Sequence, residues 1–241
     1  VSAFRLTLIF LAVFVTAAVA GAPMRLALAW SGADAAGLAA RRVEGRIWGG
    51  TLHDASLRGA PIGRVEAALD PSTIPEGATT IRFSADGAVR GAGRATLGED
   101  RFGLRDANIE TPLALAVPGA PLRGRLRLEN ATIRFREGQC VEARGMVRVD
   151  QLGLYARGPS VPGLTLAGRV ACRDSVVYVP LNGTAPGVRF AGALRIDGQG
   201  GYRLESRIVT DQPAIEGALG LSGFGRAAGG FARTDTGRLG G

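Results

Sequence analysis

The sequence contains no lysine, so all 29 of its basic residues are arginine, and aromatic residues make up only 6%. It has a single histidine, His53, and two cysteines, Cys140 and Cys172. That inventory leaves a Cys/His zinc set short of ligands, and no calcium-binding loop occurs. Paired carboxylates for acid–base work are missing as well. The acidic residues stand singly among arginines, as cross-strand ion pairs do on a solvated sheet face. His53 and Asp54 are adjacent in an expected surface turn, and the sequence fixes no nucleophile beside them. After residue 40 no convincing amphipathic helix of normal length appears, and after Met24 there is no second long apolar run. These gaps argue against an enzyme, a metal site and a helical bundle, and for a scaffold or binding module.

What fills the chain is alternation. Leu122, Gly124, Leu126 and Leu128 oppose Arg123, Arg125, Arg127 and Glu129. Val141, Ala143, Val147 and Val149 oppose Glu142, Arg144, Arg148 and Asp150, and Leu164, Leu166, Val170 and Cys172 oppose Thr165 and Arg169. Successive side chains of a strand point to opposite faces, so this is a sheet with one apolar and one wet side. The same period holds at Val65, Ala67 and Leu69, at Ile81 and Phe83, at Val188 and Phe190, and at Leu204 and Ile208. Met24–Trp30 reads as a first short strand, Phe102–Asp106 and Leu113–Val117 as separate short strands, and Ile215–Leu221 as a late one. Asn182-Gly183 is a hairpin signal. Gly91-Ala92-Gly93 lacks the third glycine and the following helix of a phosphate loop, and is read as a sheet bulge. The glycine-rich tail from Gly223 is expected to fray or to form a loose last hairpin. The fold class is therefore all-β: one long, strongly curved antiparallel sheet of about a dozen strands, ahead of a closed barrel.

A formal charge of +8 and a pI near 10.9 invite a nucleic-acid reading. The arginines alternate singly with apolar residues instead of clustering, which points to a solvated basic face and not to nucleic acid. Anionic lipid or an acidic partner is the alternative.

The compartment is set near the start. From Leu6 to Met24 no residue is charged, and at 1.5 Å per residue the run is roughly 28 Å long, near the bilayer's hydrocarbon thickness. Residues 1–5 are read as a short cytoplasmic start and 6–24 as a transmembrane signal-anchor helix, because Arg5 precedes the run. A cleaved signal peptide is the competing reading, with Ala18-Val19-Ala20 before Gly21 as its cleavage site. Both readings export residues 25–241. Two cysteines in an exported domain most simply form one disulfide, and closing a loop of about 33 residues is worth on the order of 3–4 kcal/mol. Strict alternation places Cys172 on the apolar face and Cys140 on the polar one, so a twist or bulge is needed to turn Cys140 inward.

Trp48 stands between glycines that allow close backbone approach, and Gly45-x-x-Trp48-x-Gly50 after a signal anchor resembles the opening of the type II secretion system protein N family. Cys140-x-x-x-x-Gly145, Gly168-x-x-x-Cys172 and Gly201-Tyr202-x-Leu204 resemble its later pattern. The resemblance implies a single-pass bacterial inner-membrane protein with a periplasmic β domain, no enzymatic activity and no cofactor. It also implies partners among the other secretion platform subunits and the secretin, and it supports the Cys140–Cys172 pairing. The rival reading is a periplasmic lipid-handling protein with an apolar groove on one face of the sheet.

Overall fold

The computed structural model describes residues 21–26, 37–57, 59–70, 72–73, 77–98, 100–116, 122–154 and 163–238. The expected membrane helix over 6–24 lies almost wholly outside them. Among the described residues, no helix is long and apolar enough to cross a membrane. The described residues form sixteen strands, more than the expected dozen, and the pairings between them are antiparallel. They fall into two compact units, divided after Gly87.

The first unit holds β1 (Leu38–Ala39), β2 (Arg42–Arg46), β3 (Gly49–Leu57), β4 (Ala60–Asp70) and β5 (Ala78–Asp86). β3 takes β1 and β2 in succession along one edge and β4 along the other, and β5 follows β4. Its small core is Met24, Leu52 and Ala55, packed by Leu38, Val43, Ile62 and Val65. Met24 to Leu26 are helical, so the strand expected from Met24 does not form there; the remainder of that expectation, to Trp30, lies outside the described residues.

The second unit is a meander with one short detour. It contains β6 (Arg90–Gly98), β7 (Arg101–Pro112), α1 (Leu113–Ala116), β8 (Leu122–Arg136), β9 (Gln139–Leu154), β10 (Leu166–Arg169) and β11 (Ala171–Arg173). β12 (Val176–Ala185), β13 (Val188–Ile196), β14 (Gly201–Thr210), α2 (Pro213–Leu221), β15 (Gly225–Ala227) and β16 (Gly230–Arg238) complete it. The sheet order is β6-β7-β8-β9-β10-β12-β13-β14-β16-β15, with β11 on β12, and this order does not return on itself to make a barrel. Tight turns enforce the meander. Glu137-Gly138 (φ 50° and 74°) and Asp174-Ser175 (φ 51° and 65°) both have the left-handed pairs of dihedrals that suit a two-residue hairpin.

The core of this unit is the alternating face. Val147, Val149, Leu166, Val177, Val179, Leu181, Val188, Phe190, Ile208 and Phe231 are buried together, and α2 lays Ile215 and Leu219 over them. Several sequence expectations are corrected here. β7 runs unbroken through Asn108–Pro112, and Leu113–Ala116 is helical, not a strand. Ile215–Leu221 is helical as well, because Pro213 at its first turn fixes φ and has no N–H to lose. Asn182-Gly183 lies inside β12, and the turn comes at Pro186-Gly187, where Gly187 takes φ 67°. The tail forms an anchored hairpin, with Phe231 only 5% exposed.

A row of bulges crosses the strands of this unit. β7 has an extra residue at Asp106 (φ 51°) and β8 at Asn130 (φ 48°), while β9 has Gly145 (φ 127°) opposite Ala131. A Cβ on Gly145 would stand 2.8 Å from the Ala131 Cα, so the close approach requires glycine. The Val170 amide, at the break between β10 and β11, donates to the Gly145 carbonyl at 3.1 Å. The bulge expected at Gly91-Ala92-Gly93 is the β6 side of the same row, opposite Asp106. Bulges bend and twist the strands that carry them, and here they stand side by side on neighbouring strands.

Candidate functional site

Three features gather the residues singled out in the sequence: a disulfide, a glycine hairpin and an ion-paired face. Cys140 and Cys172 are bonded, with sulfurs 2.02 Å apart and Cα atoms 5.7 Å apart. The inward turn needed at Cys140 is made by a bulge. Phe135 faces Cys140 and Arg134 faces Glu142, so Val141 is the extra residue. Cys140 is 9% exposed and Val141 52%, the reverse of strict alternation. Cys172, expected on the apolar face, is exposed instead, because the strand breaks at Val170, after β10, and the chain restarts its pairing on β12 at Ala171.

Gly45, Trp48 and Gly50 form one hairpin. β2 and β3 are joined by a two-residue turn, Ile47-Trp48, which pairs Gly45 with Gly50 and Arg46 with Gly49. Gly45 has φ 95°, and a Cβ there would meet the Gly49 carbonyl oxygen at 2.5 Å and the Gly50 Cα at 2.6 Å. A Cβ on Gly50 would collide with the Met24 thioether. Gly45 therefore serves the hairpin alone, while Gly50 clears the Glu44 carbonyl across the hairpin and also makes room for the segment before it. That segment is docked by backbone bonds too. The Ile47 amide donates to the Ala22 carbonyl at 3.1 Å, and Pro23 bridges Arg46 in antiparallel sense. Sequence reasoning missed this docking, because Met24 reads as the end of an apolar run.

His53 lies in β3 opposite Arg42, not in a turn, and Asp54 beside it takes φ 50° where the β3–β4 register shifts. The His53 Nε2 is 3.3 Å from the Glu44 carboxylate, which Arg42 also meets at 3.2 Å. Arg42 and Glu44 form an ion pair with the His53 ring beside it, and there is no nucleophile in the contacts that define this cluster. Among the described residues, no group of three or more His, Cys, Asp or Glu side chains could hold a metal ion. A shallow, open depression of about 790 Å³ lies nearby, lined by residues that include Glu44, Thr51, Glu66, Arg82 and Ser84.

The arginines line one face of β7, β8 and β9 and are cross-linked by carboxylates. Glu110 meets Arg125 and, at 3.4 Å, Arg127; Arg127 reaches Asp150 at 3.5 Å. Arg148 reaches Glu129 at 3.4 Å and Arg134 reaches Glu142 at 2.7 Å. Farther along, Arg195 and Arg203 share Glu205, and the Tyr178 ring lies between Arg173 and Arg195 at 4.5 and 5.8 Å. Exposed pairs of this kind contribute only about 0–1 kcal/mol each, so the ladder sets surface character more than stability.

The hydrogen bond from Arg125, opposed by partial desolvation and aided by the charges of Arg127, Arg125 and Arg90, holds the Glu110 carboxyl below its ordinary value. A lowered folded value means that the pairing favours the fold above the unfolded carboxylate's pKa. That contribution is lost as pH falls through the folded value. A carbon-13 titration of Glu110 is expected to give a midpoint below that of free glutamate, rising in Arg125→Gln; a midpoint that does not move would show the pair to be idle.

The second unit also offers a strand edge. β15 covers β16 only from Gly230 to Ala232, while β14 pairs the other side from Phe231 to Arg238. Along Arg233–Arg238 the outer edge carries no strand among the described residues.

These features define an all-β protein whose described surface is made of ion-paired strand faces and a partly open edge. Residues 36–233 match the family model of the type II secretion system (T2SS), protein N, and the chain belongs to that family. The match includes the glycine hairpin and both cysteines. No curated protein and no solved structure matches the chain.

Proposed function

We propose that this chain is a non-catalytic docking subunit of the type II secretion assembly platform. In this reading the uncharged run that begins at Leu6 anchors it in the inner membrane, and the β units stand in the periplasm without a cofactor. Family membership supports the secretion role, the Cys140–Cys172 bond suits an exported compartment, and the apolar run before Met24 suits an anchor.

The observation that carries the docking role is the open edge of β16. An unpaired edge presents N–H and C=O groups that a partner strand can complete, so strand addition is the mechanism, with platform subunits as first partners and the secretin as the next. The lipid-carrier reading needs an empty apolar groove, whereas the apolar face from β9 to β16 is filled by its own side chains and capped by Ile215, Leu219 and Phe224.

The test is capture of purified platform subunits by the full chain and by Thr236→Pro. The wild type is expected to capture them, and the proline variant to lose capture at an unchanged melting midpoint. Equal capture by both would overturn strand addition at this edge.

A further inference from the structure

Residues 22–24 belong to the folded unit and not to a free linker. Ala22 accepts the Ile47 amide bond, Pro23 pairs with Arg46, and Met24 is 7% exposed in the core with Leu52 and Ala55. The uncharged run that remains, Leu6 to Gly21, is about 24 Å long as a helix, short of the roughly 30 Å of hydrocarbon in a bilayer. A short span draws its flanking residues toward the interface, and here the flanking residues are bonded to a hairpin tip. The tip itself is Ile47-Trp48, half-buried in the isolated chain, with Leu26 40% exposed. Arg25 and Arg46 are both exposed, and Arg46 bridges Pro23, two residues before Arg25.

We propose that the β2–β3 hairpin tip is a membrane-seated foot: Trp48 and Ile47 sit in the headgroup zone of the anchoring bilayer, and Arg25 and Arg46 meet anionic lipid phosphates. Tryptophan favours this depth because its ring is apolar and its indole N–H is polar, and each arginine near an anionic surface adds attraction. The foot fixes how the first unit stands on the membrane, since no slack chain separates the hairpin from the span. It rests on the anchored reading given above.

The experiment uses the full chain carrying Trp30→Phe, so that Trp48 is the remaining tryptophan, in phosphatidylcholine vesicles containing a minority of phosphatidylglycerol. Trp48 emission is expected to shift to the blue. Lipids brominated near the headgroup are expected to quench it severalfold more than lipids brominated at the chain end. Arg25→Glu with Arg46→Glu is expected to weaken that quenching in the phosphatidylglycerol vesicles and to leave it unchanged in pure phosphatidylcholine. The difference between wild type and Trp48→Phe gives the same reading if Trp30→Phe does not fold. A chain that resists carbonate extraction while Trp48 stays water-like and unquenched overturns the foot and leaves the anchor standing. A chain that carbonate removes overturns both.

Discussion

Replacing Cys140 and Cys172 together by serine is expected to lower the unfolding free energy by about 3–4 kcal/mol, the loop-entropy value for a separation of 32 residues. The neighbouring pairing cannot substitute for the bond. β11 has only three residues and ladders to β12 alone, and besides the disulfide this stretch is tied to β9 by the Val170–Gly145 hydrogen bond where the strand breaks and by the Cys140 amide, which donates to the Ser175 carbonyl at 2.8 Å. On the other side, Cys140 is the second residue of β9 after the turn, and its inward position depends on the Val141 bulge. Without the sulfur bridge the bulge loses its inward anchor, and the loop between the two positions gains freedom in the unfolded chain. Urea unfolding of the oxidised protein and of the double-serine variant measures the difference, and hydrogen exchange at Val141 and Glu142 is expected to speed up first. A loss below about 1 kcal/mol would show that strand pairing already holds the loop. Exposure of Cys172 also makes the bond reachable by a reductant, so dithiothreitol is expected to reproduce the variant without denaturant.

The period-two pattern was legible wherever strands run straight. Val65 and Ala67 against Arg64 and Glu66 read correctly, as do Val147 and Val149 against Arg148. The pattern fails at the bulges, for a simple reason: one extra residue reverses every face beyond it. Leu126 and Leu128 pack on the same core as Ile133 and Phe135, which straight alternation cannot allow; Asn130 supplies the extra residue. In β9, Val149 and Leu152 share that core across Gln151, which takes φ 56°. A short polar or amide side chain where the parity slips was the available signal, since such residues tolerate the left-handed region. The glycine motif was legible as a motif but not as a dock, because nothing in Gly45-Arg-Ile-Trp-Gly-Gly names Met24 as its partner. The arginine ladder was legible as alternating charge, while its specific pairs depend on register that the bulges set.

Leu219 and Leu221 separate the two readings of the late segment by stability. If Ile215–Leu221 were a strand, residues 215, 217, 219 and 221 would share one face, and Leu221 would be as buried as Leu219. In the helix, Ile215 and Leu219 are four apart and face the sheet together, at 5% and 0% exposure, while Leu221 is 85% exposed. Leu219→Ala is therefore expected to cost about 2–5 kcal/mol, the range for emptying a leucine site in a packed core. Leu221→Ala is expected to change stability by less than about 0.5 kcal/mol. The loss at Leu219 also bears on the docking edge. α2 connects β14 to the β15–β16 hairpin, and the Phe224 amide donates to the Leu219 carbonyl at 3.0 Å, so loosening the helix releases the strand that carries the open edge. Chemical denaturation of both variants measures the costs, and capture of platform subunits by Leu219→Ala at a temperature where it remains folded reads the coupling. Equal destabilisation by the two alanines would mean that the segment is extended, with both leucines inside.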